Sequence, residues 1–182
     1  MNKVNIALVS DSHGNKEFIH KFLDRVSEQS IHLVMHLGDY YQDALPVQEK
    51  GIALIRVPGT WTPYYQDPMI DNRRFETFLD WRLFLTHTPE IDNNDRPEDI
   101  DPQTVIDQKL ADIFLHGHTH TPSVSKKNGV IVINPGHIKQ KIDRGKPASF
   151  GILSLAKEKA DMSIYTLFTG EVLIKESFNK CV

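Results

Sequence analysis

The chain has 182 residues, of which 40% are hydrophobic and 25% charged, and its formal net charge at pH 7 is −3. This composition is typical of a folded globular protein and excludes a fibrous or intrinsically disordered chain. The length allows one sizeable hydrophobic core, so we expect a single domain over residues 1–182. The small negative charge argues against broad nucleic-acid binding through a basic surface, although a local basic patch stays open.

The sequence carries no signal for a membrane or an oxidising compartment. No apolar stretch approaches the roughly 20 residues that are needed to cross a bilayer. The apolar stretch near the N-terminus lacks a small-residue cleavage site and runs directly into Asp11, which argues against a secretory signal. The single cysteine, Cys181, cannot form an internal disulfide, which fits a reducing compartment. We therefore expect a cytoplasmic protein with no membrane partner, and we leave a homo-oligomer open.

The first third of the chain alternates between strand and helix patterns. Residues 3–10 are apolar as in a buried strand, and residues 16–29 place apolar side chains at helical spacing. Two further strands at 32–37 and 52–57 enclose a shorter helix at 44–50. This rhythm favours parallel strands that are joined by crossover helices.

The middle of the chain combines two loops with strands and one helix. Residues 58–73 contain three prolines and several aromatic side chains, and we expect a long irregular loop there. Residues 75–86 indicate two strands around a turn, and the acidic residues 88–102 indicate a second surface loop. A helix at 103–110 then precedes a strand at 112–116.

The last third of the chain is rich in strands. Five strand patterns, separated by glycine-containing turns, lie at 123–127, 130–134, 150–155, 162–168 and 172–178. A change from strand–helix–strand units to successive strands is consistent with two stacked sheets that are flanked by helices. The predicted fold class is therefore α/β, a four-layer αββα sandwich of two mixed β-sheets.

Side chains that bind metals stand at the ends of five short segments. The segments are Asp11-Ser12-His13, Gly38-Asp39, His87, His116-Gly117-His118 and, with one substitution, Gly59-Thr60. Four of the five follow an apolar run typical of a strand, and side chains at strand ends can meet at one edge of a sheet. A mixture of Asp and His suits manganese, iron, zinc, nickel or cobalt, whereas magnesium and calcium prefer oxygen ligands.

The order of these segments resembles the calcineurin-like metallophosphoesterases, whose motifs run D-x-H, G-D, G-N, H and G-H-x-H. The resemblance extends over the whole chain and is strongest to the small single-domain prokaryotic branch that cleaves phosphodiesters. It implies a metal-dependent phosphoesterase for a small-molecule phosphate ester, with diesters favoured over monoesters. Such an enzyme uses two divalent ions to activate water for attack on phosphorus, and manganese is favoured over iron, zinc, nickel or cobalt.

The resemblance also implies a role for each ligand position. Carried over position by position, the first ion takes Asp11, His13 and His118, and the second takes His87 and His116. Asp39 would bridge the two ions and so act in catalysis. His120 would act beside it by contacting the phosphate or by orienting a ligand.

Thr60 stands where the family's G-N motif has an asparagine, and this is the main departure from the pattern. A hydroxyl is a weaker donor to a metal than an amide oxygen, so we expect the second ion to bind more loosely or through a water. Asn72, in the same loop, is an alternative ligand. Trp61 stands where the protein-phosphatase branch has a histidine, and its indole N–H does not titrate usefully. Good leaving groups are therefore favoured unless His120 or His137 acts as the general acid.

Side chains outside the ligand set have two interpretations each. Trp61, Tyr64 and Tyr65 either stack on a base or an aromatic leaving group, or pack their loop onto the body. Arg73 and the basic run at 139–146 either hold phosphate groups or are solvated surface charges. These residues and His137 are the candidates for substrate contact.

His137 follows Asn134-Pro135-Gly136, where the family usually has a serine, and it either approaches the site or stays on the surface. The alternative to an enzyme is a catalytically idle protein-interaction scaffold on the same fold. Six of the seven family ligand positions keep their residue, which favours the enzyme. A nuclease ranks last, because the chain offers no large positive surface.

Overall fold

The computed structural model describes residues 3–180, so the prediction about Cys181 falls outside the described residues. The strands are β1 (Val4–Val9), β2 (Leu33–His36), β3 (Ala53–Arg56), β4 (Arg73–Phe78), β5 (Trp81–Thr86), β6 (Ile113–Leu115), β7 (Ser123–Lys127), β8 (Val130–Asn134), β9 (Ile142–Asp143), β10 (Lys146–Pro147), β11 (Ser149–Ala156), β12 (Lys159–Thr166) and β13 (Val172–Asn179). The helices are α1 (Lys16–Ser27), α2 (Leu45–Glu49) and α3 (Pro102–Asp107), with short 3-10 turns at Tyr41–Ala44 and Pro63–Tyr65. No helix in this part of the chain is both long and apolar enough to cross a membrane.

Two large sheets organise the strands. One has six strands in the order β13-β12-β11-β1-β2-β3, and the other has five in the order β4-β5-β6-β8-β7. In the first sheet β1, β2 and β3 run parallel, and in the second β5, β6 and β8 run parallel. Antiparallel strands complete both sheets, so both are mixed, as predicted. Because parallel strands end at the same edge, their carboxyl ends bring the following loops together.

Three apolar cores separate the layers of the fold. The central core lies between the two sheets and buries residues such as Leu8 and Leu85. Phe22 of α1 packs in a second core on the outer face of the six-stranded sheet. Val105 of α3 packs with Phe114 in a third core on the outer face of the five-stranded sheet. Full burial of one such side chain contributes about 1.5–3 kcal/mol. The predicted four-layer arrangement of helices and sheets is confirmed.

The N-terminus of α1 is fixed directly after the first metal-binding segment. The side-chain oxygen of Asn15 accepts a hydrogen bond from the backbone N–H of Phe18 at 3.1 Å, which caps the helix. Gly14 precedes this cap with a φ of +80°, a conformation that glycine adopts without strain. The cap and the turn together hold the loop between β1 and α1 in place.

Several predicted elements differ from the observed ones in their bounds, among them α3, β4 and β12, which spans Lys159–Thr166 where a strand at 162–168 was predicted. The helix expected at 103–110 is α3, which ends at Asp107, and Lys109 beyond it has a φ of +52°. A residue in this left-handed region cannot continue a right-handed helix. β4 begins at Arg73, earlier than the expected strand start at 75, so the irregular loop is shorter than predicted.

The hairpin of β9 and β10 was not predicted from the sequence. Its two strands are antiparallel and are joined by Arg144 and Gly145, whose φ values are +51° and +73°. Two successive positive φ values are the geometry of the tightest hairpin turns. The hairpin turns this basic segment, which was predicted either to hold phosphate groups or to be solvated surface charge, towards the metal-binding residues.

Candidate metal centre

The candidate ligands converge at one edge of the two sheets. Asp11 follows β1 and Asp39 follows β2, in the six-stranded sheet. His87 follows β5, and His118 and His120 follow β6, in the five-stranded sheet. Backbone hydrogen bonds join the loops, from Asp11 N to the carbonyl of Gly38 and from Gly117 N to the carbonyl of His87. The site therefore lies where the carboxyl ends of the parallel strands meet.

The first donor group consists of Asp11, His13 and His120. One ligand atom from each lies within 4.8 Å of the others, the arrangement that a bound metal ion requires. Nε2 of His120 lies 3.2 Å from Oδ1 of Asp11 and 3.1 Å from Nε2 of His13. A carboxylate with two imidazoles is a suitable donor set for a divalent transition metal.

The second donor group consists of His87 and His118, and Asp39 lies beside the first group. Nε2 of His87 lies 3.4 Å from Nδ1 of His118. Asp39 contacts the first group through Oδ2, which lies 3.1 Å from both the backbone N and Nδ1 of His13. Gly38, the residue before Asp39, packs against the ring of His87. The backbone N–H of His118 donates to the carboxylate of Asp11 at 3.0 Å, which ties the two groups together.

The ring of His87 is oriented by the backbone beneath it. Its Nδ1 lies 2.9 Å from the carbonyl oxygen of Leu37, which accepts the ring proton. Nε2 is then left with its lone pair towards His118. Hydrogen bonds of this kind commonly fix the tautomer of a metal-binding histidine.

Five residues at the site have left-handed backbone conformations. They are Asp11 at φ +53°, His13 at +48°, Asp39 at +77°, His118 at +65° and His120 at +58°. A non-glycine residue in this region is strained by about 1–3 kcal/mol, and such strain collects at functional sites. The surrounding sheets hold all five in conformations that they would not adopt alone.

Two glycines allow the loops to approach closely enough to form the site. A Cβ atom on Gly38 would lie 2.5 Å from Nδ1 of His87, and one on Gly117 would lie 2.0 Å from Oγ of Ser10 and 2.7 Å from Oδ2 of Asp11. Real Cβ atoms essentially never approach another atom this closely. Any larger residue at either position would push the ligands apart.

The electrostatics of the site favour the cation-binding protonation state at Asp11, His13 and His118, and they oppose it at Asp39 and His120. Burial raises the pKa of Asp11, but the hydrogen bond from His120 and the charge of His87 outweigh it and bring the pKa to about 2. Burial lowers the pKa of both His13 and His118, and it raises the pKa of Asp39. Asp11 is thus ionised and the two imidazoles are neutral near pH 7. Deprotonated donors are the forms that a metal requires.

His116 lies outside both donor groups. Ile113 and Leu115 of β6 point into the central core, whereas Phe114 points into the outer core. His116 continues this alternation, with its ring 5.9 Å from that of Phe114, and it lines a cavity of about 290 Å³ on the outer side of the sheet with Glu90. Burial lowers the pKa of His116 to about 4. The expectation that His116 binds the second ion is not supported by this placement.

Asp143 is a site residue that the sequence prediction did not include. The β9–β10 hairpin brings its carboxylate Oδ2 into a short contact with Nδ1 of His120. Burial would lower the pKa of His120, but the hydrogen bonds with Asp11 and Asp143 raise it. Asp143 thus holds the ring proton on the nitrogen that faces away from the donor group. No signal in the sequence indicated Asp143, because the Arg144-Gly145 turn lacks the Asn-Gly or Asp-Gly pattern that marks such hairpins.

Replacing Asp143 with asparagine is expected to weaken manganese binding about 10-fold, because hydrogen-bond partners of metal ligands typically contribute 10–100-fold to metal affinity. Calorimetric titration of metal-stripped protein measures the change. Asp161→Asn is the matched control, since the side chain of this half-exposed aspartate of β12 contacts Lys159 and Ser177 and no residue of the donor groups within the described part of the chain. Equal affinities in the two variants would contradict a role for Asp143 at the site.

The two candidates for substrate contact, His137 and Arg73, both have side chains that bind other residues of the protein. His137 is fully buried; its Nε2 donates to the carbonyl of Lys146 at 3.2 Å, and its Nδ1 accepts from the backbone N–H of Lys139 at 3.3 Å. The side chain of Arg73 is 3% exposed and forms an ion pair of 2.6 Å with Asp95. His137 therefore supports the hairpin, and Arg73 joins the two long loops.

Thr60 is a buried residue near Asp39, and its hydroxyl group forms no hydrogen bond within the described residues. It is 4% exposed, and Oγ1 has no hydrogen-bond partner within residues 3–180. Its neighbour Gly59 packs against Asp39 so closely that a Cβ atom would lie 2.4 Å from the Cα of Asp39. A buried oxygen without a partner at this position fits an incoming ion or water. Asn72 is buried as well, and its amide N–H donates to Asp99 at 2.7 Å.

The family to which the chain belongs follows from comparison with known sequences. The calcineurin-like phosphoesterase superfamily domain matches residues 4–158. The chain therefore belongs to the calcineurin-like phosphoesterase superfamily, whose members depend on metals. No curated protein sequence matches the chain.

Solved structures share the fold over nearly the full length of the chain. A predicted phosphoesterase from Streptococcus pneumoniae TIGR4 is 23% identical with a TM-score of 0.72, and each chain is covered to 99%. Vacuolar protein sorting 29 from Cryptosporidium parvum is 20% identical with a TM-score of 0.77, covering 99% of this chain and 100% of that one. An archaeal phosphodiesterase is 18% identical with a TM-score of 0.62, covering 97% and 100%. At these identities the likeness establishes the fold alone.

Proposed function

We propose that the chain is a metal-dependent phosphodiesterase that binds two divalent cations and acts on a small-molecule phosphate ester. The observation that supports this most is the convergence of Asp11, His13 and His120, whose ligand atoms lie within 4.8 Å of one another at the strand ends. His87 and His118 lie next to them, and Asp39 contacts the first group. Family membership and the mixed Asp and His donors support the same conclusion.

In this proposal the G-H-x-H motif is Gly117-His118-Thr119-His120, two residues later than the sequence analysis placed it. The first ion is then bound by Asp11, His13 and His120, the second by His87 and His118, and Asp39 bridges them. The distances within the two donor groups and the outward direction of His116 support this assignment. Manganese is the favoured metal, with iron, zinc, nickel or cobalt as the other candidates.

The chemistry divides between the bound ions and the protein. When bound, two such cations polarise the phosphoryl oxygens and lower the pKa of a water from about 15.7 to about 7. The protein holds Asp11 ionised and keeps the rings of His13 and His118 neutral. Leu37 and Asp143 accept the ring protons on Nδ1 of His87 and of His120. Nε2 of His120, which donates to Asp11 in the structure, would release its proton to bind an ion.

A preference for diesters is supported by the environment of the site. Trp61 follows Thr60 and supplies no proton for a leaving group, which favours esters whose alcohol leaves readily. The archaeal structure with the same fold is itself described as a phosphodiesterase. A nucleic-acid polymer is a less suitable substrate, because the formal net charge of the chain is −3.

The function is tested with metal-stripped protein refilled with Mn²⁺. Hydrolysis of bis-p-nitrophenyl phosphate is compared with that of p-nitrophenyl phosphate, each with and without EDTA. We expect diester cleavage that requires manganese and exceeds monoester cleavage. Faster cleavage of the monoester would contradict the diester preference, and no cleavage of either by metal-loaded protein would contradict an enzyme.

Replacing Thr60 with asparagine is expected to tighten binding of the weaker manganese ion by at least about 10-fold, because an amide oxygen is a better donor than a hydroxyl. The binding constants come from calorimetric titration with Mn²⁺. Thr77→Asn, a change at an exposed position of β4, serves as the comparison. An identical titration curve for the two variants would mean that Thr60 does not face an ion.

The scaffold alternative is favoured by one specific observation. Ile142 and Leu173 are exposed apolar residues that line a surface groove of about 520 Å³, a surface suited to a protein partner. The fold is also shared with vacuolar protein sorting 29. A protein that binds manganese but cleaves neither ester would support this alternative. A cytoplasmic location and a homo-oligomeric state stay predictions.

A further inference from the structure

A cavity of about 340 Å³ opens next to the candidate metal centre. Two segments line it, 40–43 and 61–64, each of which begins directly after a residue of the site. The first segment follows Asp39, and the second follows Thr60. Four of the eight lining residues are aromatic, whereas the donor groups themselves contain only carboxylates and imidazoles.

We propose that this cavity binds an aromatic group of the substrate, so that the enzyme acts on phosphodiesters that carry a nucleobase. The proposal rests on the proposed function, because it assigns a substrate class to the same site. A flat ring with a polar edge fits a surface of tyrosine and tryptophan side chains that have polar groups at the rim.

The cavity borders the loop that carries Asp11 and His13 of the first donor group. The ring centroids of Tyr40 and His13 are 6.2 Å apart. Asp43, which lines the cavity, accepts hydrogen bonds from Oγ of Ser12 at 2.6 Å and from the backbone N–H of Gly14 at 2.7 Å. An ester group of a phosphate bound at the donor groups would therefore be within reach of the mouth of the cavity.

Two of the aromatic rings are left open to solvent. Trp61 is 81% exposed and Tyr40 is 48% exposed, although both stand beside buried residues of the site. A large exposed aromatic ring next to a polar site is a suitable surface for stacking, because every nucleobase presents a π-face. These two side chains are the ones that would contact the base.

The other aromatic residues form a fixed floor. The guanidinium of Arg56 lies 3.8 Å from the centre of the Tyr41 ring, and its Nη1 donates to the carbonyl of Tyr41 at 2.6 Å. The rings of Tyr41 and Tyr64 are 5.1 Å apart. Tyr41 is thus held from two sides, and its position does not depend on a ligand.

The loop that carries Trp61 is anchored at both ends. Oγ1 of Thr62 donates to the carbonyl of Gly59 at 3.0 Å. Further along, the buried Tyr65 donates its hydroxyl proton to Asp95, the same carboxylate that pairs with Arg73. Because these contacts hold the backbone, Trp61 presents its ring from a prearranged loop. Prearrangement reduces the entropy lost on binding.

The test compares two diesters with the same leaving group. Thymidine 5′-(p-nitrophenyl phosphate) carries a base, and methyl p-nitrophenyl phosphate does not. We expect kcat/KM to be at least about 10-fold higher for the thymidine ester, the size of effect that a base stacked on one aromatic ring produces. Trp61→Ala should reduce this ratio by about 10-fold.

The control variant is Met69→Ala, which removes a side chain that is 89% exposed and lies further along the same loop, outside the cavity. It should leave the ratio of the two kcat/KM values as in the unaltered protein. An equal ratio for Trp61→Ala and Met69→Ala would overturn the proposal.

A binding measurement separates this proposal from the proposed function. Manganese-loaded protein is titrated calorimetrically with thymidine 5′-monophosphate and with ribose 5-phosphate, which lacks the base. Tighter binding of the thymidine compound that weakens in Trp61→Ala supports the cavity as a base site, even in a protein that cleaves no diester. Equal binding of the two compounds, or no binding of either, would overturn it.

Discussion

Replacing His120 with alanine is expected to reduce manganese-dependent diester cleavage by at least about 100-fold, because partners of a ligand alone contribute 10–100-fold and this change removes a ligand. Nε2 of His120 lies 3.2 Å from Oδ1 of Asp11 and 3.1 Å from Nε2 of His13, so the change to alanine removes one of the three donors of this group. The activity is measured with bis-p-nitrophenyl phosphate, and bound manganese is measured on the same samples.

His116→Ala is the matched control for this change, since it removes a histidine four residues away on the same segment. The ring of His116 lies on the outer side of the sheet, so the variant should keep its manganese and most of its activity. The carbonyl of Gly117, which accepts from His116, also accepts from Asn134 at 3.0 Å and so keeps a partner. Loss of activity in His116→Ala with retention in His120→Ala would reverse the proposed assignment of the two histidines.

Replacing Asp39 with asparagine is expected to abolish hydrolysis, with a loss of at least about 100-fold. The two side chains have nearly the same shape, so the backbone N–H of His13 keeps an acceptor at 3.1 Å. The charge that would face both ions is lost, however, and an amide oxygen binds a cation more weakly. Activity is measured on protein refilled with Mn²⁺, together with the circular dichroism spectrum to verify the fold.

Asp24→Asn provides the comparison for Asp39→Asn, because Asp24 is an exposed residue of α1 far from the strand ends. It should show unchanged activity. An Asp39→Asn variant that is as active as Asp24→Asn would remove Asp39 from the catalytic residues.

The fold was predictable because its pattern of apolar residues is regular. Strands such as β1 are nearly all apolar, since both faces of the parallel strands are covered. α1 shows the periodic apolar face of a surface helix. The β9–β10 hairpin was missed because its turn is Arg144-Gly145, which lacks the Asn-Gly or Asp-Gly signal, and its strands have only two residues each.

The site was predictable in outline and not in the choice of histidines. Asp11, Asp39 and His87 stand at strand ends, which sequence patterns locate well. His116, His118 and His120 are alternate residues, and simple alternation gives no reason to separate them. The structure separates His116 from His118 and His120 because the backbone turns to positive φ at the latter two residues, shortly after β6 ends. Such a turn depends on the neighbouring loops and cannot be derived from the segment alone.

The substrate candidates were the least predictable part of the site. A basic residue in a loop is usually solvated, and only the tertiary contacts reveal that Arg73 is held by Asp95. His137 follows a proline-glycine turn, a position that is normally exposed, but the hairpin covers it completely. Asp143 reaches His120 across 23 positions of sequence, and no local pattern connects the two.

The most direct test is a crystal of the protein soaked with Mn²⁺ and measured at a wavelength where manganese scatters anomalously. The proposed centre predicts two anomalous peaks, one among Asp11, His13 and His120 and the other at His87 and His118, with Asp39 in contact with both. Two peaks about 3.5–4 Å apart are the spacing that a phosphoester clamp requires. A peak bound by His116, or a diffraction map without manganese at the strand ends, would contradict it.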